Sequence, residues 1–387
     1  MYFSLFLGQS VSRAEHDTAA IDLGIEQALY ADAHGFAAVY AGEQHFNDYE
    51  PYADGFMMAS YLAGQMRTAY LGISVVPLII HHPLLVAERA NVLDQLTKGR
   101  SIVGLSAGRP HEGGTWHKAG IEPALRQRLF DAKLDVLEQA WAHEPGDPPL
   151  EFDTGDEHGT MHGRLMPRSY RRGRPLVAIG TNTPAKVAEA GRRGRLVHFG
   201  PFALESLLGI AAVYRRGLAE GGADDEAVQR AMRWAIFTKL VLVADTDDEA
   251  WRLMEDAMAG PLKAPPWVRR RPGEESMSIR ELAQQDPGPL APAMGMPESM
   301  SAFLLRTAIV GSPETVAAEV ARYGAAGLPH MHVRFAFGSE ADPDVYRRSL
   351  ELFATEVMPR VGADTIPAPG PDEIRPEFLP RVSIPSF

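Results

Sequence analysis

Two hydrophobic rhythms alternate along this chain. Short runs that are apolar nearly throughout occur at Tyr2–Leu7, Phe36–Ala41, Leu71–Pro77, Ser101–Ser106, Leu176–Ile179, Leu196–Phe199, Trp234–Val243 and His330–Phe335. Unbroken hydrophobicity over four to ten residues is the mark of strands buried on both faces, as in a parallel sheet. Between them lie longer segments with helical spacing. In 16–34, Ile21, Ile25, Ala28 and Leu29 share one face; after Pro83, Val86, Ala90 and Leu93 form one row with Leu85, Val92 and Leu96 beside it. Further helices are predicted over 52–66, 123–141, from Pro184, over 203–219 and 247–258, from the Ser312-Pro313 start, and over 345–358.

The joints repeat as well. HGFAAVY at 34–40, KGRSIVGL at 98–105, RGRLVHF at 193–199 and AGLPHMHV at 326–333 each read as a helix end, a glycine and a buried strand. That is the turn chemistry an alternating β/α array needs again and again. The stretch 71–109 reads as one strand–helix–strand unit, which packs as a right-handed crossover between parallel strands. Eight such strands alternating with about eight helices predict an α/β protein of the (β/α)8 TIM-barrel class. The other reading is a doubly wound open sheet, but no G-x-G-x-x-G follows the first strand. One domain is expected over 1–361, with two interruptions. The first, 143–175, is rich in Gly, Pro and His and reads as a hairpin, with extended pieces at 150–152 and 161–166. The second, 260–300, carries eight prolines and four methionines and reads as a lid-like insertion or a surface loop. The tail 362–387, with six prolines, is expected to lie extended on the surface.

Composition narrows the function. With 387 residues the chain can bury a large core. It has no cysteine, which excludes disulfides, thiolate metal sites and a cysteine nucleophile. A net charge of −12 argues against a nucleic-acid partner, and the RRGR runs at 171–174 and 192–195 are expected to be solvated surface. The N-terminus starts directly on a strand, without a signal-peptide pattern, and no apolar run has the length of a membrane span, so a cytoplasmic protein is expected.

In a (β/α)8 barrel the active site forms at the C-terminal strand ends. That rule selects residues 6–8, 43–45, 74–77, 106–109, 180–182 and 334–337. His45 beside Glu43 suits proton transfer near neutral pH, with the carboxylate fixing the tautomer; a satisfied buried histidine is the other reading. Gly180-Thr181-Asn182-Thr183-Pro184 ends a strand and opens a helix, which makes it an anion site or a plain cap. Arg128 would add charge there, with Arg126 and Arg109 as alternatives. Thirteen histidines raise the question of metal through the pairs His81-His82, His158 with His162, and His330 with His332. His330-x-His332 lies on the eighth strand, whereas a barrel hydrolase wants that pair on the first. Satisfied or exposed histidines are therefore expected, and no metal.

The order Gly72, His82-Pro83, Ala87-Glu88, Leu93-Asp94-Gln95-Leu96-Thr97-x-Gly99-Arg100 and Gly104-x-Ser106-x-Gly108 resembles the bacterial-luciferase-like flavin monooxygenase family. Glu43-Gln44-His45-Phe46 and LFATEVMPRV at 352–361 extend the resemblance to about residues 1–361, with a poor fit near 260–300. It implies an enzyme that binds FMN as FMNH2, supplied by a separate NAD(P)H:flavin reductase, reacts with O2 through a C4a-(hydro)peroxyflavin, and oxidises a small organic metabolite. It implies a cis peptide at Ile73-Ser74 cupping the isoalloxazine, Ser106 lining it, and Gly180, Thr181, Asn182 and Thr183 at the phosphate. It also implies a homodimer packed through the early barrel helices. The luciferases carry two adjacent histidines after the glutamate, where this chain has Gln44 and His45. Gln44 can hold an oxygen but takes no proton at neutral pH, so the proton role falls to His45. Two alternatives share the barrel: a deazaflavin (F420) hydride-transfer oxidoreductase, and a flavin-binding relative without catalysis.

Overall fold

The computed structural model describes residues 1–11, 13–46, 50–108, 120–171, 173–258, 268–286, 298–335 and 342–367. Eight parallel strands close into a ring: β1 (Tyr2–Leu7), β2 (Ala38–Ala41), β3 (Tyr70–Pro77), β4 (Ser101–Ser106), β7 (Leu176–Gly180), β8 (Leu196–Phe199), β9 (Ile236–Val243) and β13 (His330–Arg334). β1 sits between β13 and β2, with Ser4 opposite both His332 and Ala38. The ring closes where Phe199 meets Phe237 and Phe237 meets Met331. Period-two alternation sorts each strand's side chains. Ala38, Tyr40, Tyr70, Ile102, Leu176, Ala178, Leu196, Trp234 and Ile236 fill the lumen as one cluster. Their neighbours, such as Val39, Leu71, Val103, Val177 and Val197, face outward into the main core.

The helices of that outer layer include α1 (Asp17–Ala33), α2 (Gly55–Ala63), α3 (Pro83–Thr97), α4 (Arg126–Ala142), α5 (Pro184–Arg192) and α6 (Leu204–Glu220). α3 begins on Pro83, whose fixed φ suits the first helical position. It ends one residue before the expected glycine, because Lys98 itself turns left-handed (φ 56) ahead of Gly99 (φ 83). α5 and α6 approach closely through two glycines. A Cβ on Gly217 would lie 2.5 Å from the Ala188 carbonyl, and one on Gly191 2.8 Å from the Tyr214 carbonyl. No described helix is long and apolar enough to cross a membrane.

Several expectations are revised. The hairpin exists but is shorter and earlier: β5 (Leu150–Asp153) pairs antiparallel with β6 (His158–Met161), Leu150 opposite Met161. A short helix, α7 (Asp225–Met232), follows α6 and shows no apolar run; it is held by Asp224, whose carboxylate accepts from the Ala227 N–H. After α8 (Asp247–Met258), the described parts of 260–300 include β10 (Val268–Arg269), the capped helix α9 (Ile279–Gln284) and β11 (Glu298–Ser299). They continue into α10 (Met300–Thr307) and β12 (Ala308–Gly311). These elements have their own apolar core, with Met254, Met258, Ile279, Leu282, Phe303 and Val310 around Leu240 and Leu242.

β12 is a ninth parallel strand. Leu240 pairs with Arg334 on one edge and with Ala308 on the other, so β12 takes the edge of β9 that β8 leaves after Phe199. Ser312 then caps α11 (Pro313–Ala325) as expected, its hydroxyl accepting from the Thr315 N–H. The last helix, α12 (Pro343–Leu352), widens by one turn over Phe353–Val357 and continues to Arg360. Of the tail only 362–367 is described, the rest lying outside the described residues; there Ile366 packs against the lumen cluster and the Pro367 carbonyl accepts from the Tyr70 hydroxyl, at the N-terminal end of the barrel.

The RRGR runs are not simply solvated. Arg195 is 4 % exposed and forms a two-pronged pair with Glu138 of α4, at 2.8 and 2.7 Å; Arg174 shares that carboxylate, and Arg171 is buried against the Gly99 carbonyl. Glu138 lies below the ordinary carboxylate range: burial pushes it up, but the Arg195 bond and the three guanidinium charges outweigh that.

Candidate active site

The floor at the C-terminal strand ends is built by the positions two residues above the lumen layer. Phe6, Ser74, Ser106, Gly180 and Arg334 continue the inward-facing register of Ser4, Gly72, Gly104, Ala178 and His332. Glycines let its neighbours pack closely. A Cβ on Gly180 would lie 2.9 Å from a Val75 methyl, and one on Gly8 2.8 Å from the Arg334 guanidinium. Ser106 is nearly buried and accepts from the Gly108 N–H, 3.1 Å. Ser74 is half-buried, and its hydroxyl lies 3.1 Å from His198 Nδ1.

The non-proline cis bond expected at Ile73-Ser74 joins Ser74 and Val75 instead. Ile73 is fully buried on the outer side, against Gly55 of α2. The pair that fronts the floor is therefore Ser74-Val75, and Ile73 belongs to the wall.

Glu43, in the loop after β2, brings the chemistry together. It is 5 % exposed, and its Oε1 lies 2.9 Å from His45 Nε2 and 2.5 Å from His81 Nε2. Burial pushes the carboxyl up, but the two imidazole donors outweigh it and hold Glu43 below its ordinary range. An ionised carboxylate only accepts, so both imidazoles donate from Nε2 and each neutral ring keeps a bare Nδ1. Both histidine side chains are partly open, at 16 % and 17 %. The site can therefore take up a proton at an imidazole held by a buried counter-charge.

His81 was visible in the sequence only as half of a His-His pair. It comes from the turn after β3 and meets Glu43 from a second loop. The same three residues are the one group among those described whose donor atoms converge as metal ligands would. Yet both nitrogens point at a single oxygen, and two ligands on one tetrahedral zinc stand about 3.3 Å apart. The spacing is that of hydrogen bonds. Gln44 anchors the loop by its backbone, donating to the Tyr52 carbonyl.

A buried ion pair closes one side of the floor, and sequence reasoning missed its acid. Arg334 donates to Glu50 Oε1 (3.1 Å) and to Ser10 Oγ (3.0 Å), and its guanidinium carbon sits 5.6 Å from the Phe6 ring centroid. Glu50 carried no signal, being one acid in the polar stretch 47–54. The other two histidine pairs divide: His158 and His162 are exposed, whereas His330 and His332 are buried in the lumen, Nδ1 bonded to the Arg233 carbonyl and to Ser4 Oγ.

At the end of β7, Thr181 Oγ1 accepts from the Thr183 N–H, and Asn182 Oδ1 accepts from the Gly200 N–H. Thr183, the N-cap residue of α5, makes no capping hydrogen bond with its own side chain, so the helix's first N–H groups are not taken up by that hydroxyl. Of the arginines weighed for this place, Arg126 reaches the end of β4, donating to the Ala107 and Gly108 carbonyls (3.3 and 2.6 Å). Arg128 is exposed and lies against Gly155, beyond β5. Arg109 lies outside the described residues.

The family model for luciferase-like monooxygenases matches residues 1–330. A 4-hydroxyprotoasukamycin monooxygenase of Streptomyces nodosus subsp. asukaensis is 28 % identical over 369 residues, 92 % of this chain and 91 % of that protein. A limonene 1,2-monooxygenase of Rhodococcus erythropolis is 34 % identical over 133 residues, 34 % of each chain. Among solved structures, the oxygenating constituent of 3,6-diketocamphane monooxygenase from Pseudomonas putida, in complex with FMN, superposes with a TM-score of 0.72 at 21 % identity. That match covers 95 % of this chain and all of the other. An F420-dependent secondary alcohol dehydrogenase carrying an F420-acetone adduct gives 0.63 at 17 %, covering 93 % of this chain and 98 % of that one.

Proposed function

The chain belongs to the luciferase-like monooxygenase family, and from that premise we propose that it is a two-component flavin monooxygenase. It binds FMNH2 delivered by a separate reductase and uses O2 to oxidise a small organic molecule. The observation that carries this reading is the buried Glu43 carboxylate holding His45 and His81 in one tautomer beside a glycine-lined strand-end floor.

The residues present suit such a ligand. Gly180 and Gly8 put no side chain of their own over the floor, where Val75 and Arg334 pack close against the backbone. The start of α5, with Thr181 and Thr183, offers N–H and hydroxyl donors for a phosphate. Reduced flavin supplies the electrons and the site of oxygen activation. The protein's own work is to orient the ring and to move protons. His45 Nδ1 takes or returns a proton at the reacting group, Glu43 stabilises the imidazolium, and His81 shares that counter-charge. The Arg334–Glu50 pair keeps the pocket wall polar and fixed. Gln44 leaves the proton chemistry to the histidines on either side of Glu43.

Two chains are proposed to pair through α2 and α3. Met57, Tyr61, Leu85, Val92 and Leu96 are 41–73 % exposed along these neighbouring helices, large apolar side chains of the kind an interface covers. The second reading, hydride transfer from a deazaflavin, draws on the likeness to the F420-dependent dehydrogenase. Anaerobic fluorescence titrations with reduced FMN and with reduced deazaflavin separate the two. Micromolar binding of FMNH2, with oxygen-dependent product formation when a reductase is added, is expected. Binding of the deazaflavin alone overturns the proposal. Sedimentation velocity at several concentrations tests the dimer.

A further inference from the structure

Directly beneath Ser74, inside the barrel, lies His198 of β8, which the proposed chemistry leaves without a part. The ring is 5 % exposed, and its Nδ1 is 3.1 Å from Ser74 Oγ. The lumen is shaped to admit it. A Cβ on Gly104 would stand 2.9 Å from His198 Nδ1, and the Tyr40 ring meets the imidazole edge-on at 5.2 Å. Burial, with His330 nearby, pulls its pKa down to about 3, so the ring is neutral at any working pH.

A neutral imidazole carries one proton, and its place decides what Ser74 can do. His198 Nε2 meets no hydrogen-bond partner among the described residues. A buried N–H without an acceptor is rarer in proteins than an under-used acceptor. The proton therefore belongs on Nδ1, where Ser74 Oγ accepts it. Ser4 and His332 form the same kind of pair, 2.8 Å apart, one layer lower. There both residues are fully buried, whereas Ser74 is half-open to the strand-end side.

We propose that His198 is a positioning residue of the site: by donating from Nδ1 to Ser74 Oγ, it makes the Ser74 hydroxyl a hydrogen-bond donor aimed into the strand-end pocket. This rests on the flavin reading above and deepens it. The partner on the ligand is an acceptor atom of a flat heteroaromatic ring, a carbonyl oxygen or ring nitrogen that gains electron density on reduction. A donor at that place strengthens binding of the reduced ring over the oxidised one.

The test is the ratio of dissociation constants for oxidised and reduced FMN, titrated anaerobically with the wild type, His198→Leu, His198→Asn and Ser74→Ala, with circular dichroism as the fold control. One hydrogen bond of this kind makes His198→Leu and Ser74→Ala each lower the preference for reduced FMN by about three- to tenfold. The double variant should go no further than either, and His198→Asn, whose amide can donate in place of Nδ1, should restore the ratio. A purely structural histidine would weaken both redox forms alike; that result, an unchanged ratio, or no rescue by Asn overturns the inference. If His198→Leu does not fold, heteronuclear NMR of the imidazole nitrogens in the wild type decides, because a proton found on Nε2 overturns the assignment and one on Nδ1 supports it. A wild type that binds FMN in neither state overturns the flavin reading and this inference together. One that binds FMN while His198→Leu keeps its ratio overturns the inference alone.

Discussion

Lys239 should make the stability of this protein rise towards alkaline pH, and Lys239→Met should remove that rise. The side chain is 1 % exposed on the outer face of β9. Its ammonium donates to the Phe202 carbonyl (2.8 Å) and to the Arg306 carbonyl at the end of α10 (2.7 Å), and it sits 4.9 Å from the Tyr323 ring centroid. Burial pulls its pKa from 10.5 to about 7. For a base with a depressed folded pKa the linkage runs as follows. Above 10.5 neither state is protonated and there is no penalty. As pH falls towards 7 the unfolded chain takes up a proton that the folded one refuses, and below 7 the penalty is complete. The gap corresponds to about 5 kcal/mol, an upper bound because the two carbonyls and the ring face support the ammonium. Replacing Lys by Met also leaves two carbonyls without their donor, at about 1–3 kcal/mol each, but that cost is nearly the same at every pH and cancels in a difference between pH values. Urea unfolding of both proteins at pH 7, 8 and 9.5 should therefore show the mutant losing ground to the wild type by about 2–3 kcal/mol over that range, the part of the full gap that falls between those pH values. A stability difference that stays constant with pH, or that moves in the mutant's favour, refutes the reasoning.

Three further outcomes are expected. Glu43→Ala strands two imidazole donors at the edge of the floor and should cost about 2 kcal/mol in urea unfolding, along with flavin-dependent oxygen consumption; a loss too small to measure would contradict the bridging geometry. Glu138 has a depressed pKa in the folded protein, so its stabilisation is present above the ordinary 4.5 and lost as pH falls through its lower folded value. Glu138→Gln should flatten the acid side of the stability profile below pH 4.5, and a mutant as acid-sensitive as the wild type would count against the Arg195 clamp. Gly72→Ala would place a Cβ 2.4 Å from the Tyr40 ring. Overpacking there should cost about 1–3 kcal/mol, read as a lowered melting temperature; an unchanged one would mean that the lumen yields more easily than its packing suggests.

The barrel was legible because it is written locally. Each ring strand is a short apolar run, and the turns into β2, β4, β8 and β13 carry a left-handed glycine, with Lys98 turning left-handed just ahead of Gly99. Glu43 and His45 were legible for the same reason, being two residues apart at a strand end. What stayed hidden depends on chain closure. His81 meets Glu43 across 38 positions, His198 meets Ser74 across 124, and Glu50 meets Arg334 across 284. No periodicity encodes such pairs. α10 and β12 were lost for another reason: their apolar residues follow a proline- and methionine-rich stretch that masks a four-residue strand. The cis bond fell one residue later than expected, which exchanges the wall residue Ile73 for the inward-facing Val75.

β12 has a consequence for how this barrel can be altered. Above Phe199 the β8 side of β9 would present the unpaired backbone of Leu240, Val241, Leu242 and Val243, a row that any extended chain could join. The returning end of the long excursion occupies that row with its own strand. The returning strand thus guards that row against intermolecular strand pairing. Trimming the excursion would leave the barrel closed but sticky, with self-association as the cost, unless the segment from Met300 to Gly311 were kept.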